Sequence, residues 1–191
     1  MQLILASQSP RRKELLGLLR LPFTVQVADI DETMDLNKSP CDEVARISRL
    51  KAEAVHRDPA DVVVAADTIV VLGREILCKP KDEADAYRML RMLSGCNHQV
   101  MTGLCVLRGD QISVCTEVTD IHFRDLTDRE IWAYIHTGEP MDKAGAYGIQ
   151  GYASLFVDKI SGDYFNVVGL PVCRLGQILR QIAPEYMEEN L

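Results

Sequence analysis

The segment Ser7-Gln8-Ser9-Pro10-Arg11-Arg12-Lys13 sets small hydroxyls ahead of a proline and basic side chains behind it. Ser9 followed by Pro10 suits the N-cap and first residue of a helix, which puts the basic residues in its first turn. Exposed N–H groups at a helix start favour anions, and arginine adds two-pronged contacts to phosphate. The same residues also fit a capped surface helix whose charges are solvated.

Asp67 interrupts an apolar run, in Ala65-Ala66-Asp67-Thr68. A carboxylate among strand-forming apolar residues is costly unless it sits at a strand end, binds a cation, or has its hydrogen bonds met by neighbouring backbone. Acidic side chains at the carboxyl end of a central strand also favour a site, because ligand crevices form there in α/β sheets. Asp29, Asp31 and Glu32 make an oxygen-rich loop. Such loops suit Mg²⁺ or Mn²⁺, which bind through one or two carboxylates plus substrate phosphates; a solvated acidic loop has the same composition. Lys51 and Lys79, each taken alone, read as surface lysines. Residues 143–151, KAGAYGIQG, hold three glycines and let backbone approach a ligand closely. Residues 162–171 read as a turn into a strand and a last helix.

These residues need elements to hold them. Residues 3–6 read as a short buried strand leading into a helix near Arg11, and residues 23–27 as a second strand. Ser39-Pro40 opens another helix, with Val44, Ile47 and Ala54 on one side. The β-branched run VVVAADTIVVL, residues 62–72, predicts a central strand buried on both faces. Asp82 caps a helix through Leu93, which Gly95 ends. Residues 99–107 and 112–123 form a long hairpin around Arg108-Gly109-Asp110. Thr127 with Glu130 makes a capping box. Leu175, Ile178, Leu179 and Ile182 mark the apolar side of the last helix. Alternating helices and strands predict an α/β fold with a mixed sheet, in one continuous domain over residues 1–191.

Composition narrows the functional classes. The 191 residues are 47% apolar, 26% charged and only 6% aromatic, so the core rests on aliphatic side chains. Lys+Arg 21 against Asp+Glu 28 gives a net charge of −7, which supplies no global field for nucleic acid. A polyanionic ligand therefore needs a local basic cluster. The cysteines at 41, 78, 96, 105, 115 and 173 form no C-x-x-C and no metal-finger spacing. They fit a reducing compartment, and with no signal-like or membrane-length apolar run the expectation is a cytoplasmic protein, apart from membranes.

The motifs combine in one order: ASQSPRR at 6–12, DET at 31–33, AADTIV at 65–70, KP at 79–80, LSG at 93–95, TG at 102–103, KAGAYGIQG at 143–151 and NVVGLPV at 166–172. In this set the chain resembles the Maf proteins over essentially its whole length. The resemblance implies a mixed, twisted sheet flanked by helices, with a deep cleft between two lobes, like the house-cleaning inosine triphosphate pyrophosphatases. It implies hydrolysis between the α and β phosphates of a nucleoside triphosphate, aided by a divalent cation, Mg²⁺ or Mn²⁺. On this resemblance Asp67 takes the general-base position, and Glu32 and Asp67 the metal site. Ser7, Arg12, Lys51 and Lys79 line the triphosphate.

Arg11, Thr68 and Gln150 match the subgroup acting on dTTP and UTP, whose sites also admit modified pyrimidines such as 5-methyluridine or pseudouridine triphosphate. A glutamine amide offers a donor and an acceptor to the O4 and N3–H edge of uracil or thymine. The alternatives are a 7-methyl-GTP pyrophosphatase and a non-catalytic regulator, since Maf proteins are also linked with arrest of septum formation. The resemblance also suggests a homodimer.

Overall fold

A computed structural model describes residues 1–35 and 37–188. In chain order the elements are β1 (Leu3–Leu5), α1 (Pro10–Gly17), β2 (Thr24–Val25), α2 (Pro40–Val55), β3 (Val62–Leu72), β4 (Glu75–Leu77), α3 (Glu83–Leu93), β5 (Asn97–Arg108), β6 (Gln111–Phe123), α4 (Asp128–Ile135), β7 (Val157–Ser161), α5 (Tyr164–Val168), α6 (Val172–Ile182) and α7 (Pro184–Glu188). Three short 3-10 turns lie between α4 and β7. The strands form a seven-stranded mixed sheet in the order β2-β1-β3-β5-β6-β7, with β4 paired to β3. The chain forms two compact units, and the boundary falls within β3, β5 and β6.

The first unit comprises Met1–Asp67, Thr102–Glu117 and Gly169–Leu191. Its core packs Ile4 and Ala6 with Val63 and Ala65 of β3, Cys105 and Leu107 of β5, and Ala52 and Val55 of α2. Strand β1 runs parallel to both β2 and β3. The second strand is shorter than its apolar pattern predicts: β1 is brief, and pairing reaches only Thr24 and Val25. Ser39 caps α2 by accepting from Asp42 N, and Val44, Ile47, Ser48, Lys51 and Val55 face inward at helical spacing. Strand β5 passes so close to the start of this helix that a Cβ on Gly103 would stand 2.2 Å from the Val44 carbonyl oxygen. Only glycine fits there.

The second unit comprises Thr68–Met101 and Val118–Val168. Strand β4 folds back antiparallel on β3, and β7 lies antiparallel on β6 with a bulge at His122/Phe123. Its core is aromatic, with Phe123 edge-on to His98, Tyr147 and Phe156. Thr127 and Glu130 form the capping box of α4.

One expectation fails here, because residues 164–168 are helical rather than a strand. Local side chains override the β-propensity of Val167 and Val168. Asp163 accepts from Phe165 N at 2.8 Å, and buried Asn166 donates to Val100 O at 3.1 Å and Thr119 Oγ1 at 2.9 Å. That anchoring curls the chain into a short helix.

Burial pushes the His98 imidazole down to about 4 from 6.5. The folded state therefore keeps it neutral where an unfolded chain would be protonated, so stability falls as pH drops from 6.5 towards 4. At about 1.4 kcal/mol per pH unit the loss reaches roughly 3 kcal/mol. Thermal melting followed across that window should show the decline, and a His98→Gln variant should flatten it. An unchanged slope in the variant would assign the acid sensitivity elsewhere.

Among the described residues, no helix is long and apolar enough to cross a membrane.

Candidate active site

In parallel pairing Leu5 lies opposite Val64, so Ser7 emerges just past the carboxyl end of β1, while Asp67, three residues beyond Val64, sits in the middle of the longer β3. The carboxyl end of β1 is where a ligand crevice forms in sheets of this kind. Asp67 is buried, within a strand made mostly of apolar, β-branched residues. Its partner comes from α2. The spacing that turns Val44, Ile47 and Val55 inward also turns Lys51 inward, and Lys51 Nζ donates to Asp67 Oδ1 at 2.7 Å.

The same ammonium lies 2.9 Å from Glu32 Oε2 on the acidic loop. Glu32 is more than half exposed, whereas the Lys51 and Asp67 side chains are nearly covered. One buried cation thus gathers two carboxylates from separate segments. Asp29 and Asp31 remain exposed on that loop, and Asp31 Oδ1 accepts from Thr33 N at 2.9 Å.

The helix start supplies the next cation. Ser9 caps α1 by accepting from Arg12 N, with Pro10 in the first turn as its sequence predicts. Arg12 folds back over the cap: its Nε donates to Gly169 O at 2.8 Å, and its Nη1 lies 3.4 Å from Ser7 Oγ. The Ser7 hydroxyl also accepts from Ser9 N at 3.2 Å. Burial lowers the Arg12 pKa, the Asp67 carboxylate raises it, neighbouring Arg11 lowers it, and Glu32 raises it. A guanidinium keeps its charge through shifts of this kind. Ser7, Arg12, Glu32, Lys51 and Asp67 therefore all belong to the first unit, joined by direct contacts or by electrostatics.

Thr68 follows Asp67 directly in β3 and belongs to the second unit, as do Lys79 and Gln150. Thr68 is half-buried, while Lys79 and Gln150 are exposed. Gln150 sits in a tight turn closed by Gly151 N donating to Gly148 O at 3.1 Å.

The glycines around it have a packing role within the second unit. A Cβ on Gly145 would stand 2.8 Å from Val70 Cγ2, one on Gly148 2.6 Å from Lys143 Cε, and one on Gly151 2.1 Å from Glu139 Oε1. The close approach they permit is to the protein's own side chains. Gly145, at φ 67°, is also in the left-handed region that favours glycine.

Gly169 is a partner of Arg12 that residue-type reasoning passes over. It lies in NVVGLPV, where a glycine reads as turn chemistry, and its carbonyl holds Arg12. Its φ of 125° is the hint available in structure but not in sequence.

Among the described residues no three His, Cys, Asp or Glu side chains converge as a ready-made metal cage. Glu32 and Asp67 instead share a single cation, the Lys51 ammonium, within 2.9 Å. Two carboxylates that already meet around a positive charge suit a hard divalent cation that takes its remaining ligands from water and substrate phosphates. The donor set fits a substrate-borne Mg²⁺ or Mn²⁺.

The family described as Maf-like protein matches residues 2–182. A protein of Geobacillus sp. is 55% identical over 174 residues, covering 91% of this chain and 94% of its own. One of Symbiobacterium thermophilum is 52% identical over 181 residues, covering 94% and 93%. One of Bacillus pumilus is 49% identical over 179 residues, covering 93% and 95%. Each is named a dTTP/UTP pyrophosphatase. A solved dITP/XTP pyrophosphatase of Mycobacterium abscessus is similar at a TM-score of 0.45 and 13% identity, covering 96% of this chain and 100% of its own, a likeness too loose to carry weight. With the family match running almost from end to end over the motifs that hold Ser7, Arg12, Lys51 and Asp67, the chain belongs to the Maf family.

Proposed function

We propose that this chain is a divalent-cation-dependent pyrophosphatase that hydrolyses dTTP and UTP to the monophosphate and pyrophosphate. The observation that carries the reading is the buried Lys51 ammonium clasped by Asp67 and Glu32, beside Arg12, in a chain about half identical to proteins named for that activity. Asp67 takes the proton of the attacking water as the water oxygen bonds to the α phosphorus. The bond between that phosphorus and the bridging oxygen breaks, and its electron pair leaves with pyrophosphate. Arg12, Lys51 and Lys79 offset the charge gathering on the leaving group, and the Ser7 hydroxyl donates to a phosphate oxygen.

Glu32 and Asp67 would hold the metal, which when bound supplies charge neutralisation at the phosphates. Gln150 reads the O4 and N3–H edge of the base, with Arg11 and Thr68 completing the pyrimidine preference. A cytoplasmic location and a homodimer belong to the same proposal. The cysteine usage supports the first and the family resemblance the second.

Pyrophosphate release from a panel of nucleoside triphosphates, with Mg²⁺ or Mn²⁺ and with chelator, tests the whole reading. Metal-dependent release from dTTP and UTP is expected, with little from CTP or purine nucleotides. Turnover of 7-methyl-GTP instead would keep the chemistry and overturn the roles of Arg11, Thr68 and Gln150. No turnover of any nucleotide would sink the proposal.

A further inference from the structure

We propose that Tyr134 and Glu139 are positioning residues for base selection, forming a brace that fixes the turn bearing Gln150. The inference rests on the reading of Gln150 as the residue that recognises the base. Its physical need is plain. An amide presents a donor and an acceptor of nearly equal size, so turning it over exchanges them. Uracil offers an acceptor at position 4 and a donor at position 3; cytosine offers the reverse. Turning the amide over is a rotation about the side chain's own terminal bond; what the backbone sets is where the amide meets the base edge, and a fixed turn holds that meeting point in one place.

The second unit supplies that constraint. Tyr134, on α4, is fully buried with its hydroxyl under the turn. The hydroxyl accepts from Gly148 N at 3.1 Å and donates to Glu139 Oε1 at 3.0 Å. The other carboxylate oxygen, Glu139 Oε2, accepts from Tyr152 N at 3.1 Å. One side-chain pair thus grips the backbone on both flanks of Gln150.

The carboxylate also fills the space above Gly151, where any Cβ would overlap it. Lys143 Nζ donates to the Glu139 carbonyl at 2.6 Å and ties the start of the loop to the same residue. Tyr147, just before the turn, is buried with its hydroxyl 2.9 Å from His98 Nε2, and Ile149 is buried as well. Between Tyr147 and Gly151, Gln150 is the position left exposed. A loop built only to connect two elements would not need this many anchors around one outward side chain.

The test measures kcat/KM for UTP and CTP in the parent, Gln150→Ala, Tyr134→Phe, Glu139→Ala and the Tyr134→Phe/Gln150→Ala pair, with melting curves for each. Phenylalanine keeps the ring that packs edge-on to Phe156 and removes only the hydroxyl. Gln150→Ala and Tyr134→Phe should each lower the UTP/CTP ratio by about tenfold, the scale of one hydrogen bond. The loss should fall mainly on KM for UTP rather than on kcat. The pair should be no less selective than Gln150→Ala alone, because the brace acts through that residue.

A parent-like ratio in Tyr134→Phe and Glu139→Ala, with a reduced ratio in Gln150→Ala, overturns the brace and leaves the base reading intact. A parent-like ratio in Gln150→Ala removes the base reading and the brace with it. Should Tyr134→Phe not fold, Glu139→Ala decides on its own.

Discussion

Asp67→Asn is expected to reduce turnover by about a hundredfold to ten-thousandfold, the contribution of a positioned general base. The substitution separates chemistry from architecture. Asparagine has the size of aspartate, and its amide oxygen can still accept the 2.7 Å bond that Lys51 Nζ now gives to Oδ1. It cannot take a proton from water at working pH. The fold should survive, with a melting temperature within a few degrees of the parent, because the position keeps its shape and its main partner. Nucleotide affinity, measured by calorimetry with UTP, should also hold or tighten as one negative charge facing the phosphates is lost. Pyrophosphate release at saturating substrate is the measurement that decides. A variant with more than a tenth of parental kcat would mean that Asp67 holds charges in place and another group activates water.

Much of this arrangement is legible in the chain, and the reasons differ from residue to residue. Ser9-Pro10 announces the start of α1 through its own backbone chemistry, so the placement of Arg11 and Arg12 in the first turn follows from local rules. The run from Val62 to Leu72 announces β3 because β-branched residues buried on both faces have few other uses, and an Asp inside it stands out. The inward turn of Lys51 was available too, in the spacing from Val44 through Ile47 to Val55, although a lysine taken alone reads as surface.

Long-range partners are another matter. Nothing local links Lys51 to Glu32 or Arg12 to Gly169, since these contacts join segments brought together only by the packing of α1, α2 and β3. The strand expected within residues 162–171 failed for the same reason. The anchors of the helix that forms there, Thr119 and Val100, lie on strands far away in sequence. The glycines of residues 145–151 were visible as permissive positions, but what they make room for, Val70 and Glu139, is a tertiary fact.

Lys51→Met should lose both stability and turnover, and the pattern of loss identifies what the lysine does. Methionine matches the buried stem of lysine on α2 and removes only the ammonium. Asp67 is then a nearly covered carboxylate without its cation, and removing one partner of such a pair costs about 3–5 kcal/mol. Glu32 contributes little to that figure, because it is more than half exposed and water replaces its partner. Glu32→Gln should accordingly leave the denaturation midpoint close to the parent while weakening metal-dependent turnover.

The decisive comparison is Lys51→Met with Asp67→Asn in one chain. If the stability loss comes from an uncompensated buried charge, neutralising that charge should restore much of it, a coupling that denaturant unfolding of the four variants measures directly. Turnover should stay at the floor set by Asp67→Asn alone. A double variant as unstable as Lys51→Met would mean that the lysine stem and its packing, rather than its charge, hold α2 against β3. In that case the ammonium would be there for the phosphates alone.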